Sequence, residues 1–340
     1  PMNRGSQAGH LASRSPLLAI RGLSLDFGTP RGRAHALRDV HIDVPAGEVV
    51  GIVGESGSGK STLAYTVMGL LAENAEVVNG AILFEGRDVL GMAPAERRGL
   101  LGNRMSMIFQ DPMTALNPVR SIESQMVDVQ HREGGSRGIK RQRAVDMLRR
   151  VGIPDPESRI GGYSHEFSGG MRQRICIAMA LLVKPALLIA DEPTTALDAT
   201  LEVQIIHLLK ELQKEIGCSI LFVSHHLGAV AEFCDRVAVM YAGEVVEYGT
   251  VRDIFRRPGH PYTRALLECD PGRIRKRTRQ LPTIPGEVPS LLGTQAGCIF
   301  RRRCPHAFAR CADENPAPRA IGAAHSARCH LLDDTLAGPG

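Results

Sequence analysis

The sequence of 340 residues has no long apolar run and little excess of either charge. Residues 177–190, the most apolar stretch, are interrupted by Lys184 and Pro185 and fall short of the ~18 apolar residues that a membrane span needs. The net charge of +5 is too small to indicate nucleic-acid binding by itself. Residues 1–16 are polar and lack the apolar core of a signal peptide. These absences favour a cytosolic protein with a disordered N-terminal tail.

Cysteine is sparse along most of the chain. Four of the eight cysteines lie in apolar or helical contexts and are predicted to be small core residues: Cys176, Cys218, Cys234 and Cys269. The other four cluster near the C-terminus: Cys298, Cys304, Cys311 and Cys329. In a reducing compartment, such a cluster is more often a metal site than a disulfide framework.

Alternating strand and helix patterns predict the core. Residues 17–50 indicate a β-meander with a turn at 45–47, and residues 48–54 form a continuous apolar run ahead of a helix that begins at Lys60. Residues 95–183 are mostly helical in pattern. Two further buried strands are predicted at 186–193 and 218–226, followed by a hairpin at 236–249 and, from Pro271, a basic, proline-rich linker. The pattern predicts an α/β core with a parallel sheet.

The segment "GESGSGKS", residues 54–61, matches the phosphate-binding loop G-x-x-x-x-G-K-[ST]. The glycines let backbone N–H groups turn toward phosphate oxygens at the start of a helix. In this motif the side chain of Lys60 reaches the β- and γ-phosphates, and the Ser61 hydroxyl binds Mg²⁺. Asp191, at the end of a predicted strand, is a second candidate for Mg²⁺, and Glu192 is a candidate general base.

The segment "FSGGMRQR", residues 167–174, resembles the "LSGGQ" signature of the ABC ATPases. The resemblance covers residues 17–250. "MIFQDP" resembles the Q-loop with Gln110, "TTALD" the D-loop with Asp198, and "FVSHH" the switch loop with His225. His226 departs from the aspartate usual in the peptide-importer branch, and Met171 replaces the signature glutamine, as that branch often does.

The resemblance implies a division of roles. Catalytic roles fall to Lys60, Gln110, Glu192 and His225. Mg²⁺ would be bound by Ser61, Gln110 and Asp191. The nucleotide site would comprise Phe27, Gly54, Ser56, Gly57, Ser58, Gly59, Lys60, Ser61, Thr62, Gln110 and Asp191. Phe27 is the candidate for adenine stacking, with His35 as the alternative.

The family works as a head-to-tail pair of ATPase domains. A nucleotide held by one phosphate loop would then contact the partner's signature, here Ser168, Gly169 and Gly170, together with Asp198. Ser168 is suited to this contact because it precedes a helix whose N–H groups point at an anion. In this branch the partner is often a sister chain rather than a second copy.

The C-terminal region resembles the extension of dipeptide and oligopeptide importer ATPases. The segments that carry the resemblance are "RPGHPYTRALLECD", "LPTIPGEVPSLL" and residues 297–331. In that branch the tail resembles a segment that binds a [4Fe–4S] cluster through four cysteines. These match Cys298, Cys304, Cys311 and Cys329, separated by five, six and seventeen residues.

The cysteine spacing leaves alternatives open. Structural zinc usually takes ligands from pairs two to four residues apart, which these cysteines do not form, and thiolates suit iron–sulfur clusters. Zinc, with His306, His325 or His330 as replacement ligands, and free thiols remain alternatives. The basic residues 273–279 are either a solvated linker or a contact with an acidic membrane surface.

The resemblance implies an α/β fold: an ABC-type P-loop NTPase with a RecA-like parallel-sheet core, an N-terminal antiparallel β-subdomain and a helical subdomain. A small loop-rich cysteine segment follows. The expected divisions are a disordered tail at 1–16, an ABC ATPase domain at 17–255 with the helical subdomain at about 95–183, a linker and extension at 256–296, the cluster-binding segment at 297–331 and a tail at 332–340.

The implied function is ATP hydrolysis that energises peptide import. The expected partners are a second ATPase subunit, two transmembrane permeases and an extracytoplasmic substrate-binding protein, with no nucleic acid. The permeases would hold the chain at the cytoplasmic face of the cell membrane. Three alternatives stay open: an importer of nickel, haem or sugar, a soluble ABC ATPase acting on nucleic acid or ribosomes, and a regulatory domain that binds ATP without turnover.

Overall fold

A computed structural model describes residues 15–195, 197–273, 282–293 and 295–336. The tail predicted at 1–16 falls mostly outside these residues, as do residues 274–279 of the basic linker. The sequence left two interpretations of this linker open, a solvated segment and a contact with an acidic membrane surface. Both concern residues that lie mostly outside the described part of the chain.

The strands in chain order are β1 (Leu18–Thr29), β2 (Gly32–Val44), β3 (Val49–Val53), β4 (Ala75–Phe84), β5 (Arg87–Asp88), β6 (Met105–Ile108), β7 (Leu187–Asp191), β8 (Ser219–Val223), β9 (Arg236–Tyr241), β10 (Glu244–Thr250), β11 (Arg319–Gly322) and β12 (His325–Ala327). The helices are α1 (Lys60–Met68), α2 (Pro94–Leu100), α3 (Pro112–Ala115), α4 (Ile122–Val129), α5 (Arg137–Arg150), α6 (Pro156–Arg159), α7 (Gly169–Leu182), α8 (Ala199–Ile216), α9 (Leu227–Phe233), α10 (Val251–Arg256), α11 (Pro261–Glu268), α12 (Arg310–Asp313) and α13 (Leu331–Leu336).

The central sheet has, in the described part of the chain, eight strands in the order β11-β12-β10-β9-β3-β8-β7-β6. The strands from β9 to β6 run parallel to one another, while β10 pairs antiparallel with β9. Every residue of β3, β7 and β8 is buried, as expected for parallel strands covered on both faces. The predicted α/β core, its buried strands and the closing hairpin are confirmed.

A second sheet of the described residues is antiparallel, with the order β2-β1-β4-β5. This sheet confirms the N-terminal antiparallel β-subdomain but differs from the predicted meander. Of the strands within residues 17–53, only β1 and β2 pair as a hairpin, because β3 crosses into the central sheet. The sequence interpretation placed no strand at 75–88, where polar Glu76 and Asn79 break the apolar run of β4.

The stretch predicted to be helical contains α2 to α7 and also β6, which forms the edge of the central sheet beside β7. Apolar faces of α4, α5 and α7 pack into one core cluster with the central strands. Gln110 lies two residues after the end of β6, where the chain leaves the sheet toward α3.

The C-terminal segment is joined to the cassette instead of lying beyond it. Strand β12 pairs antiparallel with β10 and extends the central sheet. Tyr262 of α11 is fully buried, and its ring packs at a tilt against Tyr241 and edge-on against Phe300 of the cysteine segment. Of the cysteines predicted to be core residues, Cys269 differs because it is only partly buried.

Candidate functional site

The phosphate loop, defined as residues 54–61, connects β3 to α1. Gly54 has a φ of 155°, and a Cβ there would lie 2.1 Å from the carbonyl oxygen of Met240. Gly59 has a φ of 98°, and a Cβ would lie 2.9 Å from the carbonyl oxygen of Ala36. Glycine is therefore required at both positions, both for the backbone conformation and for the close approach of neighbouring backbone.

Lys60 is buried, and its side chain bonds to the backbone of the phosphate loop. Its Nζ donates to the carbonyl oxygens of Gly54 at 2.9 Å and Glu55 at 3.0 Å. Burial lowers the pKa of Lys60, while the carboxylates of Glu192 and Asp191 act in the opposite direction. An ammonium in this position is ready to exchange carbonyl partners for phosphate oxygens.

The other predicted nucleotide contacts on the loop differ in exposure. Ser56 and Gly57 are exposed, and Thr62 is half-buried on the first turn of α1. Ser58 is buried, and its Oγ has no hydrogen-bond partner among the described residues. An unpaired buried hydroxyl is costly, so its presence here fits a loop that completes its contacts with a ligand.

Ser61 and Asp191 meet although 130 positions separate them in the chain. The Ser61 Oγ donates to Asp191 Oδ1 at 3.0 Å. Asp191 ends β7 and is fully buried, and burial raises the pKa of its carboxyl. Its Oδ2 has no hydrogen-bond partner in the described part of the protein. A hydroxyl and a carboxylate oxygen with free acceptor capacity fit the oxygen ligands that Mg²⁺ prefers.

Side chains from the predicted Q-loop, D-loop and switch loop converge on Glu192. Its Oε2 accepts from Gln110 Nε2 at 2.9 Å and from Thr195 Oγ1 at 2.9 Å, and His225 Nδ1 lies 3.3 Å away. Glu192 also has a φ of 46°, a left-handed conformation that costs a non-glycine residue about 1–3 kcal/mol. Strain of this kind is concentrated at functional sites.

The signature lies at the start of α7. Ser168 caps this helix by accepting a hydrogen bond from Met171 N at 3.4 Å, and Ser168 and Gly169 are exposed. A Cβ on Gly170 would approach Leu201 Cδ1 at 3.2 Å, which places the start of α7 against α8. Asp198 caps α8 by accepting from Thr200 N and Leu201 N. The signature and Asp198 are thus neighbours.

The adenine candidates lie on the β1–β2 hairpin. Phe27 is partly buried against the apolar cluster of the β-subdomain. The Nδ1 of His35 lies 2.7 Å from Oδ1 of the buried Asp26, which fixes the imidazole ring. The structure brings both candidates to one hairpin and does not choose between them.

Two residues with contacts at the site, Thr195 and Glu202, were missed from sequence. Thr195 bonds to Glu192, and its only signal was its place within "DEPTTALD". Glu202 contacts both Thr194 Oγ1 at 3.1 Å and His226 Nδ1 at 2.8 Å. His226 therefore has a hydrogen-bond partner on α8, which the sequence alone did not indicate.

The four C-terminal cysteines line one cavity of about 10 Å³, together with His260, His306 and His330. No disulfide joins them. Burial raises the pKa values of Cys304 and Cys329 and raises the pKa of Cys298 to about 11. Within the described residues, no group of three or more His, Cys, Asp or Glu side chains is arranged to hold a metal ion. The donors converge, but they do not form a closed ligand shell.

Comparisons with known proteins agree with the site described above. The model of the ABC transporter family covers residues 37–195, and the model of the oligopeptide/dipeptide transporter C-terminal region covers residues 246–311. A probable peptide ABC transporter ATP-binding protein of Sinorhizobium fredii is 47% identical over 94% of this chain and 96% of its own length. This chain belongs to the family of ABC transporter ATP-binding proteins.

Other members of the family cover similar lengths. The dipeptide transport ATP-binding protein DppD of Escherichia coli is 45% identical over 94% of this chain and 98% of its own. The oligopeptide transport ATP-binding protein OppD of Salmonella typhimurium is 47% identical over 88% of this chain and 89% of its own.

Among the described residues, none of the helices has the length and apolar character that a membrane span requires.

Solved ABC structures share the fold. The dimeric ATP-binding cassette MJ0796, in a post-hydrolysis state with ADP and phosphate, superposes with a TM-score of 0.62 at 25% identity, covering 69% of this chain and 99% of its own. Clostridium perfringens cbiO1, part of the cbiONQ ABC transporter complex, has a TM-score of 0.62 at 30% identity over 72% and 92%. The smaller coverage of this chain is consistent with a cassette that carries additional residues.

Proposed function

We propose that this chain hydrolyses ATP to energise import of dipeptides or oligopeptides through two membrane permeases. The observation that carries the ATPase is the convergence of Gln110, Thr195 and His225 on the carboxylate of Glu192 beside an intact phosphate loop. The observation that carries the cargo class is the match of residues 246–311 to the oligopeptide/dipeptide C-terminal region.

Phosphate release would follow in-line attack by water. The carboxylate of Glu192 takes a proton from water while the water oxygen bonds to the γ-phosphorus. The bond from the γ-phosphorus to the bridging oxygen breaks, and ADP leaves. Gln110 and His225 orient the γ-phosphate that the water attacks. Lys60 and the backbone N–H groups of the phosphate loop stabilise negative charge on the phosphates. Mg²⁺, held by Ser61, Gln110 and Asp191, would offset the negative charge of the phosphate oxygens.

A head-to-tail dimer would complete the site. The exposed start of α7, with Ser168, Gly169 and Gly170, offers backbone N–H groups to an anion that another subunit holds. Asp198 lies beside it and would contact the same interface. The dimeric state of MJ0796 with ADP and phosphate supports this arrangement. The second subunit is proposed to be a sister chain.

The permeases would bind in the groove beside Gln110. An apolar cavity of about 190 Å³ opens where β6 leaves the sheet, lined by Ile108, Phe109, Ala115, Leu116 and Met179 among others. Phe109 is directly before Gln110 in the chain and is 38% exposed. A helix supplied by a permease would cover this surface and communicate with Glu192 through Gln110. This contact would hold the chain at the cytoplasmic face of the membrane.

We also propose that Cys298, Cys304, Cys311 and Cys329 hold a [4Fe–4S] cluster, with zinc as the alternative. The support is the convergence of four thiols on one cavity and the soft character of the donor set. Because burial raises the pKa of three of the thiols, the ligands must release protons as a metal binds. The cluster would have a structural role.

The proposed divisions of the chain follow from these roles. The ATPase domain at 17–255 carries the nucleotide site, the helical subdomain at about 95–183 carries the permease groove, and 297–331 carries the cysteines. The test of the whole proposal is ATPase activity of the complex purified from its source membranes. Stimulation by a peptide-loaded binding protein supports peptide import, and stimulation only by a nickel- or haem-loaded one refutes it.

A further inference from the structure

Arg303 connects the cysteine segment to the phosphate loop. Its side chain is only 3% exposed, and its guanidinium binds both carboxylate oxygens of Glu55, with distances of 2.7 Å from Nη1 and 3.0 Å from Nη2. The remaining donors bind the carbonyl oxygens of Ile284 and Pro285 at 2.9 Å each. Nη1 also lies 3.3 Å from the Tyr241 hydroxyl. A buried, two-pronged pair of this kind fixes both position and charge.

Glu55 is the second residue of the phosphate loop. Its backbone N donates to the Tyr262 hydroxyl at 3.0 Å, and its carbonyl oxygen accepts from Lys60 Nζ. One residue thus contacts the lysine of the loop through its backbone and Arg303 through its side chain. The side chain and the backbone of Glu55 are therefore both held by contacts at the phosphate loop.

The cysteine segment is itself fixed to the cassette, so Arg303 has a rigid base. Arg328, directly before Cys329, is buried and binds the Asp39 carboxylate at 2.6 Å. His325 Nε2 lies 2.7 Å from the buried Glu247. Upstream, His35 N donates to the Leu291 carbonyl oxygen at 2.8 Å. Contacts with β2 and β10 therefore hold the extension against the cassette.

Charge explains why the pair would affect nucleotide binding. An unneutralised carboxylate within the phosphate loop would repel the phosphates of ATP in a partly buried site, where charges interact more strongly than in water. Arg303 removes that repulsion and holds the carboxylate on the side of the cysteine segment. Among the described residues, no other cation forms an ion pair with the Glu55 carboxylate.

We propose that Arg303 is a positioning residue for ATP binding, through which the cysteine segment keeps Glu55 neutralised and the phosphate loop in its binding conformation. The proposal rests on ATP binding at this loop. It goes further by assigning a role in nucleotide affinity to a residue outside the cassette motifs. Arg303 touches no nucleotide and acts through Glu55.

The test is the affinity of the full chain for a fluorescent ATP analogue with Mg²⁺, measured for Arg303→Gln, Arg303→Lys and the double variant Arg303→Gln/Glu55→Gln. We expect Arg303→Gln to raise Kd about tenfold, the scale of one like-charge contact in a partly buried site. Arg303→Lys keeps the charge, and the double variant removes the unpaired carboxylate, so both should stay within about threefold of the natural protein. The ATPase KM should follow Kd while kcat changes little.

The matched control is Arg302→Gln, because Arg302 is an exposed neighbour that lines the outer face of the cysteine segment. It should leave Kd unchanged. If Arg303→Gln lowers Tm but leaves Kd within twofold, or if Arg303→Lys weakens binding as much as Arg303→Gln, the proposal is overturned. If Arg303→Gln does not fold, the double variant and Arg303→Lys still decide the matter. A natural protein that binds no ATP would instead refute the proposed function.

Discussion

Gln110 Nε2 donates to Glu192 Oε2 at 2.9 Å across 82 positions of sequence. Gln110 follows β6 and Glu192 follows β7, and these neighbouring parallel strands bring both residues to one edge of the sheet. The bond joins the proposed general base to the loop that borders the permease groove. It offers a direct route by which a permease movement would change the position of Glu192.

Glu192→Gln is expected to abolish ATP turnover while ATP binding is retained. The amide preserves size and accepts a bond from Thr195 but does not accept a proton from water. Loss of a general base lowers turnover by about 10²–10⁴-fold. Phosphate release and equilibrium binding of ATP, measured on the same preparation, check this prediction. A variant that hydrolyses ATP at the natural rate would exclude Glu192 as the base.

Asp191→Asn is expected to stabilise the nucleotide-free protein and to remove its response to Mg²⁺. Because burial raises the pKa of Asp191, folding favours the protonated carboxyl relative to the unfolded state. This contribution to stability is present at low pH and is lost as the pH rises through the raised pKa, so the carboxylate is destabilising near pH 7. We expect Tm to rise by about 1–2 °C, the effect of about 1 kcal/mol in a chain of 340 residues.

The pH dependence provides the control for Asp191→Asn. The difference in Tm between the variant and the natural protein should shrink as the pH is lowered through the raised pKa of Asp191 toward the ordinary carboxyl range, because the natural carboxyl becomes protonated. Mg²⁺ with ATP should raise the Tm of the natural protein more than that of the variant. A difference in Tm that grows toward low pH would contradict the assignment.

Ala115→Arg is expected to uncouple the ATPase from the permeases. Ala115 is exposed at the end of α3 and lines the apolar cavity beside Gln110, so a charged side chain there would block a docking helix. Co-purification with the permeases should fall about tenfold, as expected when a charge is buried unpaired in an interface. The isolated ATPase should be unaffected. Ala95→Arg, on the exposed face of α2, is the matched control.

Cys304→Ser is expected to remove the metal and lower stability. Protein purified without air should contain about four irons per chain, with a broad absorption band near ~400 nm that is typical of cysteine-bound clusters. The variant should lose both and melt at least about 5 °C lower. Cys269→Ser is the control, because Cys269 is a partly exposed cysteine outside the cluster of four. Zinc without iron would overturn the choice of cluster.

The sequence predicted the central sheet and the phosphate loop because both depend on local signals. Apolar runs identified β3, β7 and β8, and the glycine spacing identified the loop. Strand β4 was missed because its first half is exposed or half-buried and lacks apolar alternation, with Asn79 and Gly80 in its centre. The Arg303–Glu55 pair was also missed, since its partners are 248 positions apart and no pattern in either neighbourhood indicates the other.

The union of the cysteine segment with the cassette shows the same limit. Composition suggested a separate segment after a linker, because proline and arginine dominate from Pro271 onward. The short β12 nevertheless pairs with β10, and the buried contact between His325 and Glu247 also connects the cysteine segment to the cassette. Three-residue strands and single buried ion pairs are tertiary features that hydrophobic periodicity does not detect.

The most direct test is ATP-dependent uptake by the complex purified through a tag on this chain and reconstituted in vesicles with its binding protein. The account predicts that labelled dipeptides or oligopeptides accumulate only with ATP on the side of this chain, and that Glu192→Gln removes uptake while the permeases remain bound. Uptake that persists in Glu192→Gln, or a complex that hydrolyses ATP yet carries nickel or haem and no peptide, would contradict it.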